Sequence, residues 1–188
     1  MAQGKTSTQS TGEQPRRDKR ARGAERHPAV PGALRVRAVR QADLPQVIAL
    51  DASVTGLHKS AYWQRVYRRY GVGGQGLRHF LVAVDGRRVV GFVIGEVRDW
   101  EFGSPPCGWV FAIDVDPEAR LAGSGTALLG AVCERFRQVG VTMLRTMISR
   151  DNQLLLSFFR SQGMTAGRLI PLQMDIGGEA PGLGAPAP

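Results

Sequence analysis

Seven residues, Arg120-Leu121-Ala122-Gly123-Ser124-Gly125-Thr126, constrain this chain more than any other stretch. They follow the apolar run Trp109-Val110-Phe111-Ala112-Ile113-Asp114-Val115, from which Asp116-Pro117 separates them with a turn signal. A segment with Leu128, Leu129, Val132, Phe136 and Val139 at helical spacing comes directly after. The order reads as strand, turn, glycine-bearing loop, amphipathic helix. At such a helix N-terminus several backbone N–H groups have no intrahelical acceptor, and the helix dipole adds partial positive charge. Such a spot binds phosphate. Residues without a Cβ at positions 123 and 125 let a pyrophosphate approach the backbone, and Arg120 brings a permanent charge. The plainer alternative is a turn that only begins a helix. Neither a Walker loop nor a Rossmann fingerprint is present, because the run has no Lys and position 128 is Leu.

The 188 residues suit one domain with tails, and 43 % hydrophobic residues can fill its core. Residues 1–30 carry seven Lys/Arg against three Asp/Glu and hardly any large apolar side chain, within a net charge of +9. We expect residues 1–32 to form a disordered basic tail. Its Arg16-Arg17-Asp18-Lys19-Arg20 cluster offers a weak contact for nucleic acid or another acidic surface. Residues 33–176 form the folded domain, and the Gly/Pro/Ala-rich residues 177–188 form a second flexible end. No segment has the roughly 20 apolar residues of a membrane span. A soluble cytoplasmic protein, monomeric or a homodimer, is the expectation. Cys107 and Cys133 suit neither a disulfide framework nor a metal site, and His27, His58 and His79 lack ligand spacing.

The remaining elements come from period and punctuation. Leu34 to Val39 alternates as a half-buried strand, and Asp43 can cap a helix holding Pro45, Val47, Ile48 and Leu50. A second helix covers Lys59 to Tyr70. Asp85-Gly86 between His79–Val84 and Arg88–Ile94 is a hairpin signal. Met143 to Ser149 reads as a strand, Asp151 or Asn152 opens a helix that stops at Gly163, and Leu169 to Ile176 reads as a last strand. The result is a mixed α/β domain in which antiparallel strands lead into one βαβ unit.

Arg120-Leu121-Ala122-Gly123-Ser124-Gly125, led in by Val115-Asp116-Pro117-Glu118, resembles the acyl-CoA-binding motif of the GNAT superfamily of N-acetyltransferases, Gln/Arg-x-x-Gly-x-Gly/Ala. That family's later signature is also visible in Asn152, Phe159, Gly163 and Met164. The resemblance covers about residues 34–176, with a general likeness to the ribosomal-protein-alanine type. It implies a central mixed, mostly antiparallel sheet of six to seven strands, flanked by about four helices. It also implies acetyl-CoA as co-substrate, no metal, and direct transfer of an acetyl group to a primary amine: a protein N-terminus, a lysine or a small-molecule amine. Backbone groups of Ile113, Asp114 and Val115 would meet the pantetheine arm. Arg120, Leu121, Ala122, Gly123, Ser124, Gly125 and Thr126 would cradle the pyrophosphate, with Asn152 and Phe159 beside the cofactor. A different class of reading is an acyl-CoA-sensing binding module, associated with nucleic acid or the ribosome, with little turnover.

The chemical end departs from the family pattern. Many members place a Tyr where Phe159 stands, as the acid that protonates the leaving thiolate, and a Glu where Trp109 stands. The candidate bases are Glu96 and Asp114, with Glu101 in the following loop. Tyr62, Trp63, Tyr67, Trp100 and Phe102 are candidates for an aromatic-lined acceptor pocket or, equally, for the core.

Overall fold

The computed structural model describes residues 33–72 and 76–176, so the expected tails lie outside the described residues. Five strands form one sheet in the order β1-β2-β3-β4-β5: Arg35–Ala38, Arg78–Asp85, Arg88–Arg98, Cys107–Val115 and Leu144–Arg145. The first three pairings are antiparallel and β4–β5 is parallel. Four helices flank the sheet: α1 (Leu44–Thr55), α2 (Ser60–Val66), α3 (Ser124–Gln138) and α4 (Gln153–Ser161). A π-helical turn, Tyr67–Gly71, extends α2. Among the described residues no helix is long and apolar enough to cross a membrane.

Alternation along the strands divides the core into two layers. Phe80, Val82, Phe92 and Ile94 on one face pack against Val47 and Ile48 of α1 and Trp63 and Val66 of α2. Leu81, Val93 and Val110 on the other pack against Leu128, Val132 and Phe136 of α3 and Phe159 of α4. Trp63 anchors the first layer: it meets Phe92 edge-on at 5.0 Å, and its indole N–H donates to buried Asp51 at 2.9 Å. Lys59 completes that carboxylate's partners at 3.0 Å. Asp43, expected as a simple cap, instead accepts from the Arg40 amide and both Arg37 guanidinium nitrogens ahead of α1.

Two features of β4 shape the neighbouring cleft and its walls. Its pairing with β3 shifts between Ile94 and Gly95, leaving Phe111 as the extra residue of a bulge. Below the bulge Asp114 and Ala112 lie opposite Phe92 and Ile94; above it Trp109 lies opposite Glu96. Asp114, Ala112 and Trp109 therefore share the α1/α2 face. The second feature is a close approach. A Cβ on Gly95 would lie 2.9 Å from Phe136 Cζ, and one on Gly108 would overlap the same ring, so α3 presses on backbone at both strands.

The sheet has five strands where six to seven were expected. Leu169–Ile176 does not join it: Ile170, Leu172, Met174 and Ile176 are all exposed, and Pro171 cannot donate to a ladder. Of the Met143–Ser149 stretch only Leu144 and Arg145 are in the sheet.

The glycine contacts yield a paired test. Gly108→Ala lowers the unfolding free energy by about 1–3 kcal/mol, because the added methyl must displace the Phe136 ring. Gly130→Ala, in α3 with open space around its Cβ, raises it by about 0.4–1 kcal/mol. Urea unfolding of both variants checks the pair.

Candidate active site

The expected loop is more ordered than its composition suggests. Pro117–Ala122 forms 3-10 turns, opened by Asp116 accepting from the Glu118 amide at 2.9 Å. Gly123 takes φ +76° and α3 begins at Ser124, so Ser124, Gly125 and Thr126 belong to its first turn. No side chain caps this turn and no acid lies in it, which leaves its N–H groups and the dipole unneutralised. A Cβ at Gly123 would meet nothing within 4 Å, so the space beyond it is open. Ser124 is fully buried and its hydroxyl has no partner.

This helix start opens onto a cleft of about 240 Å³. Ile113, Asp114 and Val115 form one wall, and Arg120, Gly123, Gly125 and Thr126 the floor. Asn152, Leu154, Leu155 and Phe158 close it from α4, with Val54 at the end of α1. The cleft exists because β4 and β5 pair only at Gly108↔Leu144 and Trp109↔Arg145. One further bond, from Thr146 Oγ1 to the Val110 carbonyl at 2.8 Å, closes the vertex, and beyond it the strands part. Arg120 Nε donates to the Val115 carbonyl at 3.3 Å, tying loop to strand. Asn152 lines the cleft while its Oδ1 caps α4 by accepting from the Leu155 amide at 3.0 Å.

Of the residues expected at the cofactor, Ile113, Asp114, Val115, Arg120, Gly123, Gly125, Thr126 and Asn152 meet in this lining. Ala122 is exposed outside it, and Leu121 contributes backbone to the 3-10 turn. Phe159 is placed differently: only 2 % exposed, it packs in the α3 layer, and Phe158 takes the cleft side. Phe158 is also the ring that a Cβ on Gly125 would meet, at 3.1 Å. Consecutive helix positions point about 100° apart, and the composition of α4 does not say which Phe faces the sheet.

The two candidate bases differ in surroundings. Asp114 is half-buried in the cleft wall, and its carboxyl is pushed up to about 6. Burial is the main cause, nearby Asp51 adds to it, and Arg120 and Lys59 oppose it. Glu96 is bound from three sides: Arg98 Nε at 3.1 Å, Tyr70 Oη at 3.1 Å and Arg69 at 4.0 Å. Burial and the Glu96 charge together raise the Tyr70 hydroxyl above its usual range. Glu101 is partly exposed and pairs with Arg98 at 3.7 Å.

Among the expected acceptor-pocket aromatics, Trp63 is core, Tyr67 packs beside it, and Tyr62, Trp100 and Phe102 are exposed. Sequence reasoning missed Tyr70 and Phe111, whose rings lie 5.0 Å apart, and Arg98, whose guanidinium stacks on Trp109 at 4.8 Å. Only the bulge and the π-turn bring these groups together, and neither has a local sequence signal here. Among the described residues no group of three or more His, Cys, Asp or Glu is placed to hold a metal ion.

Comparison with known proteins accords with this geometry. The chain is 39 % identical over 90 residues to an L-2,4-diaminobutyric acid acetyltransferase of Nocardia farcinica, covering 48 % of this chain and 45 % of that one. It is 35 % identical over 89 residues to a mycothiol acetyltransferase of Kocuria rhizophila, covering 46 % and 29 %. The chain thus spans less than half the length of these curated relatives. Among solved structures, an aminoglycoside N-acetyltransferase in complex with CoA superposes with a TM-score of 0.68 at 16 % identity, over 80 % of this chain and 99 % of that one. An aminoglycoside 6'-N-acetyltransferase of Acinetobacter baumannii gives 0.64 at 20 % identity, over 77 % and 99 %. Those likenesses are of fold. The sequence match runs over residues 45–164, from the first turn of α1 to just past α4, and there the chain fits the model of the acetyltransferase (GNAT) family, to which it belongs.

Proposed function

We propose that this chain transfers an acetyl group from acetyl-CoA to a primary amine of a small molecule. The observation that carries the proposal is the uncapped, acid-free first turn of α3, opening at the base of the split between β4 and β5. An anionic group and an extended arm fit these two features in series. The names of the curated relatives, both acetyltransferases, point the same way.

In this reading the amides of Ser124, Gly125 and Thr126, with Arg120, hold the pyrophosphate. The free edge of Ile113–Val115 offers N–H and C=O groups to the pantetheine arm. Leu154, Leu155 and Phe158 shield that arm from water, and Asn152 borders it. Leu121 and Ala122 shape the turn, and Phe159 supports α4 from below.

Acetyl-CoA supplies an activated thioester. The neutral amine attacks its carbonyl carbon, a C–N bond forms, and the C–S bond breaks. Two proton movements complete the balance: the attacking nitrogen loses one and the departing thiolate gains one. Asp114 is the carboxylate in the cleft wall, and with its pKa near 6 it is mostly ionised at neutral pH and ready to accept, directly or through water. Glu96 is engaged by Arg98, Arg69 and Tyr70. Phe159 has no proton to give. A thiol ionises near pKa 8.5, so CoA leaves as thiolate and takes its proton from water.

Purified protein is expected to release CoA from acetyl-CoA in the presence of small amines, and absence of release with any amine overturns the reading. Gly123→Asp places a carboxylate in the cradle and abolishes thermal stabilisation by acetyl-CoA, whereas Gly123→Ala, which brings the same positive-φ strain without the charge, lowers the melting temperature of the free protein but retains most of that stabilisation. The pH profile of kcat/KM rises along a limb centred near 6, the Asp114 value, and Asp114→Asn removes that limb. Stability moves oppositely. The folded state raises this acid's pKa, so its contribution is full below about 4 and is lost as pH climbs through about 6. Asp114→Asn therefore stabilises the protein at pH 7 by about 1–2 kcal/mol, after allowance for its partial exposure. Urea titrations at pH 4.5 and 7 read this.

A further inference from the structure

The vertex where β4 meets β5 holds two buried donors without acceptors. Trp109 is 7 % exposed and its indole N–H has no partner. Its parallel register partner Arg145 is half-buried: Nη2 donates to Ser104 Oγ at 3.0 Å, while Nη1 is buried and unpaired. Register partners project to one side of a sheet, so both side chains stand on the face that carries Glu96 and Asp114. Both are donors only, and leaving such groups buried and unmet is destabilising, more so for a charge.

The surroundings do not supply the missing acceptor. Among the described residues no carboxylate pairs with Arg145, since Glu96 is taken by Arg98, Arg69 and Tyr70, and Glu101 by Arg98. Arg98 stacks on the same indole. The corner is thus rich in guanidinium groups with one of them unneutralised. A simple cation is unsuited to it, and a planar anion with two acceptor oxygens matches it.

We propose that Arg145 and Trp109, backed by Arg98, form a carboxylate-binding subsite, so that the acetylated substrate is an amine that also carries a carboxylate. The proposal rests on the acetyl-transfer reading above and names its acceptor class. The strands part beyond this vertex, so the subsite borders the end of the opening opposite the α3 N-terminus. Along β4, Asp114 and Trp109 are separated by roughly 14 Å of strand, which side chains reaching from both ends shorten. The amine that reacts is consequently several bonds from the carboxylate, as in an ω-amino acid. Ser104, the present partner of Arg145, lies in the β3–β4 loop. That loop holds Trp100 and Phe102 at φ +52° and +54° and leaves them 69 % and 78 % exposed.

The test compares L-lysine, L-lysinamide and cadaverine as acceptors for the full chain, read by CoA release. Lysine is expected to exceed the other two in kcat/KM by about tenfold or more. Arg145→Gln should lower kcat/KM for lysine about 10- to 100-fold more than for cadaverine, chiefly through KM, and Arg145→Lys should restore part of the preference. Equal use of the three amines by the wild type, or an equal loss for all three in Arg145→Gln, overturns the proposal. A turnover-independent arm measures thermal stabilisation by 5-aminovalerate and by pentylamine. Stabilisation by the acid alone, lost in Arg145→Gln, supports the subsite even if none of the amines is acetylated; no difference between the two compounds overturns it. Failure of acetyl transfer itself shows separately, as no CoA release with any amine.

Discussion

The arrangement depends on how closely α3 can lie against the middle of the sheet. Phe136 rests where Gly95 and Gly108 lack side chains, and Leu128 rests on Gly91. Any Cβ at these strand positions would lift the helix. Interiors packed to crystal density transmit such a shift rather than absorb it. The consequence appears at the other end of α3, three turns away, where Ser124 is buried and the first-turn amides face the cleft. A stripe of missing side chains in β3 and β4 thus fixes the position of an electropositive helix end.

The two faces of β4 have different electrostatic characters. Toward α3 and α4 the groups at hand are uncompensated backbone N–H and the Arg120 guanidinium, suited to a ligand that brings its own negative charge. Toward α1 and α2 the charges are side chains in close quarters: Asp51 is paired with Lys59 and hydrogen-bonded by the Trp63 indole, and Glu96 is paired with two arginines and hydrogen-bonded by a tyrosine. Asp114 stands between these sets with no such partner, and burial beside Asp51 weakens its acidity. Asp114 thus retains a readily exchangeable proton near pH 6.

Much of this was legible from residues alone where the signal was local. The helix expected at about 123–138 runs over Ser124–Gln138, Asn152 caps α4, and Asp85-Gly86 turns the hairpin, because each depends on dihedrals and caps set within a few residues. Features that depend on a partner were not legible. Leu169–Ile176 has a strand's alternation yet stays outside the sheet. Trp63 and Trp100 have the same side chain, but one fills the core and the other lies exposed in a strained loop, a difference set by helix packing and not by spacing. Phe158 lines the cleft where Phe159 was expected, for a similar reason. Arg145 had no signal at all, since its meaning comes from the strand it pairs with and from the acids that do not reach it.

The bulge at Phe111 acts as a phase shift within a single strand. Below it the even-numbered residues of β4 face the first two helices; above it the odd-numbered ones do. The segment that meets the α3 loop and the segment that meets Arg98 and Arg145 therefore run on independent registers, joined at one residue. Removing or adding a single residue above the joint would turn a new set of side chains toward the α1/α2 face and leave the segment beside the α3 loop as it was. Under the proposed function, acceptor choice drifts by one-residue steps while the grip on the acyl donor stays constant.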